Sequence, residues 1–255
     1  MKLVVKVGTS TLAHATGRLN IKRTQDLCRV LSDLKNAGHE IILVSSGAIG
    51  MGVGKLGLAE KPTDIPTKQA AAAVGQCELM YTYDRLFTEH NHTVAQILLT
   101  GADFLAEDRH ENFNNTMSRL LQLGVLPIIN ENDTIATEEI KVGDNDTLSA
   151  LVAVSLQADL LVILSDVDGL YDADPHKNQD AKLIKHIHGT PKWLSNLAGD
   201  VGSALGTGGM KTKINAAKIC VDKQVDMVIA NGVNPELLYD VVDGKDGKYT
   251  RFFAK

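Results

Sequence analysis

The chain has 255 residues, enough for one large α/β domain, since single hydrophobic cores grow to roughly 250 to 300 residues. Apolar residues make up 44% and charged residues 22%, which is typical of a globular protein and excludes general disorder. Acidic residues outnumber basic ones by 31 to 26, so the basic surface of a protein that binds nucleic acid or an anionic membrane is not indicated. We expect a single domain over residues 1–255 with a small-molecule partner.

Targeting and cysteine patterns predict a cytoplasmic protein. The N-terminal run has Lys6 in its middle and lacks the long apolar core and cleavage site of a signal peptide. Cys28, Cys77 and Cys220 are far apart and form no C-x-x-C pair, so we expect reduced thiols and no structural zinc. The histidines form no metalloprotease motif and are interpreted as surface residues.

Short apolar runs alternate with helical segments along the chain. The predicted strands are residues 3–7, 41–44, 94–99, 125–129, 160–164 and 227–230. The clearest helix covers residues 21–36, with Asn20 capping its start and Gly38 ending it. Because the strand runs are apolar on both faces, they predict a three-layer α/β/α sandwich with a mainly parallel, open sheet.

Two segments depart from this alternation. Residues 131–143 are predicted to form a small hairpin over the edge of the sheet. Residues 166–209 are rich in Asp, Gly and His and show little periodicity. Loops of that length in a compact domain are usually functional, so we expect the second segment to contribute to a site.

Small and polar residues follow four of the predicted strands. These segments are residues 8–10, 45–50, 130–133 and 165–169. Open parallel sheets bind ligands beyond the carboxyl ends of their strands, and small residues let backbone N–H groups approach an anion closely. Any one segment alone fits an ordinary turn, but four together indicate a ligand site.

Lysines at two places in the sequence indicate an anionic ligand. Lys6 lies in a buried-looking strand and needs an anion partner, unless the strand is at a sheet edge where Lys6 reaches solvent. A glycine-rich segment, residues 206–209, leads into a helix that carries Lys211 and Lys213, an arrangement suited to phosphate. The nearest Walker-loop candidate has Ile49 where the first glycine belongs and Leu56 where Ser or Thr belongs, so a P-loop is disfavoured. Residues 52–57 fit G-x-G-x-x-G but do not follow the strand immediately, so a dinucleotide site is also disfavoured.

The polar run before the apolar helix at residues 148–156 exceeds what a helix cap needs. Asp133 and Asn145 are predicted to bind the ammonium and carboxylate of an amino acid, and Asp146 to orient lysines. The acidic residues between 166 and 174 lack the spacing of a calcium loop.

Six segments, taken in order, resemble the glutamate 5-kinase branch of the amino-acid kinases. They are residues 5–10, 44–49, 129–133, 141–146, 164–171 and 206–210. The resemblance covers nearly the whole chain, and the combination of Asn-Glu-Asn-Asp, Gly-Asp-Asn-Asp and Gly-Thr-Gly-Gly-Met is specific. An N-acetylglutamate kinase would show a second glycine after Gly8, where this chain has Thr9.

The resemblance implies phosphorylation of the glutamate side-chain carboxylate by ATP with Mg²⁺, the first step of proline biosynthesis. It implies catalytic roles for Lys6, Lys213 and Asp146, with Asp146 also a candidate magnesium ligand. The implied glutamate-binding residues are Ser46, Gly47, Asn130, Asp133, Asp144 and Asn145. The implied ATP-binding residues are Lys6, Gly8, Ser165, Asp166, Thr207, Gly208, Gly209, Met210, Lys211, Thr212 and Lys213. The N-terminal part would mainly hold glutamate, and residues from about 160 to 255 mainly ATP.

Many members of this branch carry a further C-terminal PUA domain, whereas this sequence ends soon after Phe253, so a form without that domain is implied. The resemblance also implies feedback inhibition by proline, a homo-oligomer, and hand-off of the product to glutamate-5-semialdehyde dehydrogenase. The alternatives are another carboxylate kinase, such as aspartokinase or N-acetylglutamate kinase, or a non-catalytic amino-acid-binding regulator. The presence of both lysines and Asp146 disfavours the regulator.

Overall fold

The computed structural model describes residues 1–14, 18–136, 144–173, 178, 180–194 and 209–254. Eight strands in these ranges form one sheet. The strands are β1 (Lys2–Val7), β2 (Glu40–Ser45), β3 (Val94–Leu99), β4 (Leu126–Glu131), β5 (Leu160–Ser165), β6 (His186–His188), β7 (Asp226–Asn231) and β8 (Tyr249–Phe253). The helices are α1 (Thr9–Leu12), α2 (Ile21–Asn36), α3 (Ala48–Leu56), α4 (Ile65–Thr88), α5 (Gly101–Leu105), α6 (Glu107–Gln122), α7 (Asn145–Ser155), α8 (Met210–Asp222) and α9 (Leu237–Val242).

The strands are ordered β3-β4-β2-β1-β5-β7-β8-β6 across the sheet. Neighbouring strands run parallel, except that β8 is antiparallel to β7. The predicted mainly parallel, open sheet is therefore confirmed. No helix within the described ranges is both long and apolar enough to cross a lipid bilayer.

Side chains of the central strands alternate between two apolar layers. In β1, Leu3, Val5 and Val7 pack in the layer that contains α2 and α4, whereas Val4 packs in the layer that contains α7 and α8. All four are fully buried, as expected for strands that helices cover on both faces. Lys6 shares the face of Val4, because successive side chains of a strand point to opposite sides. The strand therefore directs the Lys6 side chain toward α7 and α8.

The predicted helix at residues 21–36 is confirmed at both ends. The Asn20 side chain accepts a hydrogen bond from the Arg23 backbone N–H at 3.1 Å, which satisfies one of the unpaired donors at the start of α2. Gly38 has φ of +93°, a left-handed conformation that favours glycine. The chain can therefore turn directly from α2 into β2.

Two strands are missing from the sequence prediction. The first, β6, has only three residues, with exposed histidines on both sides of the buried Ile187, and lies inside the segment predicted as a loop. The second, β8, contains the charged residue Arg251, which breaks the apolar pattern of the strand. The Arg251 guanidinium lies 3.0 Å from the Asp226 carboxylate on β7. Of the predicted hairpin at residues 131–143, residues 137–143 lie outside the described part of the chain.

The α3 and α4 helices approach so closely that their backbones touch. A Cβ atom on Gly52 would lie 1.8 Å from the carbonyl oxygen of Ala71, and one on Gly75 would lie 1.7 Å from that of Ala48. These distances are far below any van der Waals contact, so only glycine fits at either position. The contact fixes the position of α4 relative to the turn that leads from β2 into α3.

We expect Gly52→Ala to lower the free energy of unfolding by about 1–3 kcal/mol, because the added methyl group forces the two helices apart. Gly54→Ala is the matched control, since Gly54 lies in the same helix and a Cβ there would meet nothing within 4 Å. That control should leave stability unchanged or raise it by up to about 1 kcal/mol through helix propensity. Urea unfolding of both variants measures the change in the free energy of unfolding. Equal changes in the two variants would contradict the close-contact explanation.

Candidate active site

Several parallel strands end at one edge of the sheet and bring their following residues together. Gly8 follows β1, Ser46 follows β2, and Ser165 is the last residue of β5. The first residues of α7 reach the same edge, because the Asn145 side chain contacts Ser46. These residues therefore lie at one edge of the sheet, and a ligand site there stays a prediction.

Three buried charged side chains meet on the α7 and α8 side of β1. The Lys6 Nζ atom lies 2.6 Å from Asp146 Oδ1, and the Lys213 Nζ atom lies 3.2 Å from Asp146 Oδ2. Thr212 Oγ1 donates a hydrogen bond to Asp146 Oδ2 at 2.8 Å. Asp146 is 0% exposed, Lys6 8% and Lys213 5%, so water screens these charges little. We call Lys6, Asp146 and Lys213 the lysine–aspartate cluster.

The lysine–aspartate cluster identifies the anion that pairs with Lys6. Because β1 lies between β2 and β5, the alternative in which Lys6 reaches solvent from an edge strand is wrong. Its anion partner is Asp146, at the start of α7. The helix N-terminus adds partial positive charge there, which also favours a carboxylate.

The electrostatics of the cluster keep Asp146 ionised. Burial alone raises the pKa of the Asp146 carboxyl, but the nearby Lys6 and Lys213 ammonium groups and the Thr212 hydroxyl outweigh it. The resulting pKa is about 2, below the ordinary value of 3.8. At neutral pH the ionised Asp146 carboxylate therefore contacts both lysine side chains.

A second cluster consists of neutral polar side chains. Asn145 Nδ2 donates to Ser46 Oγ at 2.7 Å and to Asn130 Oδ1 at 2.9 Å. Asn130 Nδ2 in turn donates to Gln76 Oε1 at 2.9 Å. We call Ser46, Gln76, Asn130 and Asn145 the amide cluster. Since Asn145 and Asp146 are adjacent in sequence, the two clusters lie side by side at the start of α7.

Gln76 is the member of the amide cluster that the sequence analysis missed. It lies on α4, on the helical face of the buried residues Ala72, Leu79 and Tyr83. The spacing of these four positions is i, i+4, i+7 and i+11, one stripe of an amphipathic helix. A glutamine on an otherwise apolar stripe is the signal that could have indicated a polar partner across the interface.

The Asp144 side chain has a structural role at the start of α7. Its carboxylate accepts from the Thr147 backbone N–H at 2.8 Å and from Thr147 Oγ1 at 3.0 Å, so it caps α7. Gly47, at the start of α3, has φ of +114°, a conformation that favours glycine. For both residues, direct contact with a substrate stays a prediction.

The other predicted site residues are distributed along the same edge. Asp133 is partly buried two residues beyond β4, and Ser165 Oγ donates to Asp166 Oδ1 at 3.0 Å. A Cβ on Gly8 would lie 3.4 Å from Lys6 Nζ, so the glycine leaves room beside that ammonium group. Thr207 and Gly208 lie outside the described residues.

The α8 helix begins where the predicted phosphate-binding segment ends. Gly209 precedes its first turn, which contains Met210, Lys211, Thr212 and Lys213. Lys211 is exposed, whereas Lys213 is buried against Asp146. The two lysines of this turn are therefore in different environments, and only Lys213 belongs to the charged cluster.

A sequence model of the amino acid kinase family matches residues 1–231, and the chain belongs to that family. Relatives named glutamate 5-kinase span most of the chain. The relative from Clostridium tetani is 54% identical and aligns with 95% of this chain and 91% of its own length. The Clostridium perfringens relative is 51% identical, with 100% and 96% coverage.

Other relatives are longer than this chain. The glutamate 5-kinase of Caldanaerobacter subterraneus is 52% identical to this chain. The alignment spans 96% of this chain but only 66% of the length of that relative. The resemblance to the glutamate 5-kinase branch, inferred from the motifs, is confirmed by these relatives.

Solved structures of other kinases share the fold. A carbamate kinase from Giardia lamblia bound to AMP-PNP superimposes with a TM-score of 0.70 at 17% identity, covering 99% of this chain and 98% of its own. A UMP kinase from Ureaplasma parvum gives a TM-score of 0.67 at 15% identity, with the same coverage. At such identities the similarity establishes the fold alone.

The lowered pKa of Asp146 predicts a specific loss of stability in acid. Because the folded carboxylate binds its proton less tightly than the unfolded one, unfolding takes up a proton below about pH 4. The corresponding stabilisation, about 2 kcal/mol, is present above about pH 4 and is lost as the pH falls toward 2. We therefore expect the stability difference between the wild type and Asp146→Asn to narrow by about 1–2 kcal/mol between pH 6 and pH 2.5.

Urea unfolding of both proteins at several pH values measures this difference. An NMR titration of the Asp146 carboxyl carbon in the wild type gives an independent value. A constant difference in stability across the range, together with an ordinary pKa, would contradict the prediction.

Proposed function

We propose that the protein transfers the γ-phosphoryl group of ATP to the side-chain carboxylate of L-glutamate and forms γ-glutamyl phosphate. The observation that carries this proposal is the lysine–aspartate cluster, with two lysine side chains on one carboxylate, directly beside the amide cluster. One cluster suits phosphate oxygens and the other suits the polar groups of an amino acid. The relatives named glutamate 5-kinase support the choice of substrate.

The chemical difficulty of this reaction is repulsion between two anions. The glutamate side-chain carboxylate has an ordinary pKa of about 4.3, so it is ionised at neutral pH and needs no general base. It must approach a phosphoryl group that is also negative. Lys6 and Lys213 supply positive charge where the phosphoryl oxygens would lie, and Asp146 holds the two ammonium groups in fixed positions. The protein therefore contributes mainly positioning and electrostatic stabilisation.

Magnesium is proposed to arrive with ATP. No group of three or more His, Cys, Asp or Glu side chains in the described part of the chain could hold a metal ion. Both carboxylate oxygens of Asp146 already contact lysines, so as a ligand this residue would share its remaining lone pairs with the ion. The lysine–aspartate cluster fits a Mg²⁺ ion that is coordinated mainly by the phosphates of ATP and by water, as is usual for Mg²⁺ with nucleotides. When bound, the ion would neutralise charge on the phosphates.

The two substrates are proposed to occupy different parts of the chain. The amino acid is assigned to the strand ends of β2 and β4 and to the start of α7, through Ser46, Gly47, Asn130, Asp133, Asp144 and Asn145. ATP is assigned mainly to residues after about 160, with Lys6 and Gly8 reaching its phosphates. In this assignment residues 1–255 act as one kinase domain, and Lys6 and Asp146 lie at the boundary between the substrates.

A substrate panel tests the proposed function. ATP-dependent formation of an acyl phosphate, trapped with hydroxylamine, should be fast with glutamate and slow with aspartate and N-acetylglutamate. A preference for one of the other acids would support the alternative carboxylate kinases. No turnover with any acid, combined with measurable amino-acid binding, would support the non-catalytic regulator.

Regulation and assembly are proposed from the relationship with glutamate 5-kinases. Proline should inhibit competitively with glutamate, which initial rates over a proline series test. We also propose a homo-oligomer, which light scattering of the purified protein tests, and a cytoplasmic location, which cell fractionation tests. Because an acyl phosphate is labile, a reductase such as glutamate-5-semialdehyde dehydrogenase is proposed to consume it, and a coupled assay with that enzyme tests whether it does.

Replacing Lys213 with alanine should lower kcat by about 10²–10³-fold, because its charge is needed where charge spreads in the transition state. The KM for glutamate should change much less. Lys223→Ala is the control, since Lys223 is exposed at the opposite end of the same helix. Steady-state kinetics on folded variants measure both constants. An effect confined to the KM for glutamate would remove Lys213 from the catalytic residues.

Replacing Asp133 with alanine should raise the KM for glutamate by about 10- to 150-fold. The reason is the loss of a charge-assisted hydrogen bond to the α-ammonium group, worth about 1.5–3 kcal/mol. The KM for ATP should change little. If Asp133 only stabilises its turn, the variant should instead lose about 1 kcal/mol of stability and keep both constants, which a thermal melt and kinetics distinguish.

A further inference from the structure

We propose that Gln76 is a positioning residue for the amino-acid substrate, acting through Asn130 on the side chain of Asn145. In this arrangement Gln76 holds the Asn130 side chain in place, and Asn130 keeps the Asn145 amide in the position where Asn145 Oδ1 accepts a hydrogen bond from the α-ammonium group. The proposal rests on the proposed function, because it assumes that an amino acid occupies the amide cluster. Gln76 itself would not touch the substrate.

The direction of every hydrogen bond in the amide cluster follows from one backbone group. The Glu131 backbone N–H donates to Asn130 Oδ1 at 2.9 Å, and a backbone N–H can only donate. This contact identifies the Asn130 atom as oxygen, so its nitrogen is the atom that meets Gln76 Oε1 at 2.9 Å. The Asn145 atom that lies 2.9 Å from Asn130 Oδ1 must then be the nitrogen.

The fixed orientation leaves one unpaired acceptor. The Asn145 Nδ2 group has two hydrogens, and Ser46 Oγ and Asn130 Oδ1 accept both. Asn145 Oδ1 is buried and has no hydrogen-bond partner among the described residues. A buried acceptor without a donor is unfavourable, so a ligand that brings a donor is favoured there. Glutamate offers donors only on its ammonium group, since both of its carboxylates are acceptors at neutral pH.

The same hydrogen bonds leave Ser46 as a donor next to the acceptor on Asn145. Its oxygen accepts from Asn145 Nδ2, which leaves the hydroxyl hydrogen available to a carboxylate. An acceptor and a donor therefore stand side by side, as an amino acid with an ammonium and a carboxylate requires. Reversal of the Asn145 amide would present a donor to the ammonium group and would destroy this match.

The position of Gln76 suits it to this task. Its side chain is 7% exposed, and it follows Gly75, whose backbone touches that of Ala48 on α3. The helix is thus held against the element that begins just after Ser46 and Gly47. The backbone at Gln76 is therefore held by a rigid contact, which suits a residue that keeps the neighbouring Asn130 side chain in place.

Two variants of Gln76 separate positioning from packing. Gln76→Glu keeps an oxygen that accepts from Asn130, whereas Gln76→Met keeps the volume and removes the acceptor. We expect Gln76→Met to weaken glutamate binding by roughly 10-fold and Gln76→Glu to remain within about threefold of the wild type. If Gln76 only fills space, the order reverses, because methionine then suits the buried position better than a carboxyl group. That reversed order, or equal losses in both variants, would overturn the proposal.

Glutarate, which is glutamate without the ammonium group, provides a readout that structural damage would not change. The wild type should prefer glutamate to glutarate, and Gln76→Met should reduce that preference by the same roughly 10-fold. General damage to the pocket weakens both ligands equally. In the Asn145→Ala background, Gln76→Met should have little further effect, and additive losses would contradict an action through Asn145.

Calorimetry of amino-acid binding, with thermal melts as a check on folding, keeps this test independent of turnover. If the wild type binds glutamate but does not phosphorylate it, the proposed function fails and the binding data still decide the role of Gln76. If turnover is normal but both Gln76 variants bind glutamate like the wild type, the role of Gln76 fails and the proposed function stands.

Discussion

The fold and the site both depend on one buried carboxylate between two lysines. Asp146 is fully buried, and its partners come from β1 and α8, which are far apart in sequence. None of the three charges could be buried alone without a large desolvation cost. Removing one partner of such a group typically costs about 3–5 kcal/mol, because an uncompensated charge remains. The packing of α7 and α8 on the sheet therefore also assembles the charged part of the site.

The start of α7 contributes one residue to each cluster. Asn145 belongs to the amide cluster and Asp146 to the lysine–aspartate cluster, so a single peptide bond separates the proposed amino-acid side from the proposed phosphoryl side. Asp144 fixes this turn by capping the helix. A rigid separation of this kind suits a reaction without a covalent enzyme intermediate, because the reacting atoms need only be held in line.

Much of this arrangement could be predicted from sequence, for identifiable reasons. Parallel strands covered on both faces leave unbroken apolar runs, and a lysine inside such a run, Lys6, requires an anion. Short strands such as β6 leave no such run, because the exposed residues His186 and His188 flank its one buried side chain. The role proposed for Gln76 depends on which atom of an amide faces which neighbour, a property of three-dimensional contacts that no spacing of residues encodes.

The glycine contact between α3 and α4 limits how this part of the scaffold can diversify. Because their backbones already touch at Gly52 and Gly75, the helices cannot move closer, and any side chain there would separate them. The spacing between Ala48, at the start of α3, and Gln76, on α4, is therefore set by backbone contact. Variation around the amide cluster must come from its side chains, since the spacing of the two helices tolerates little change.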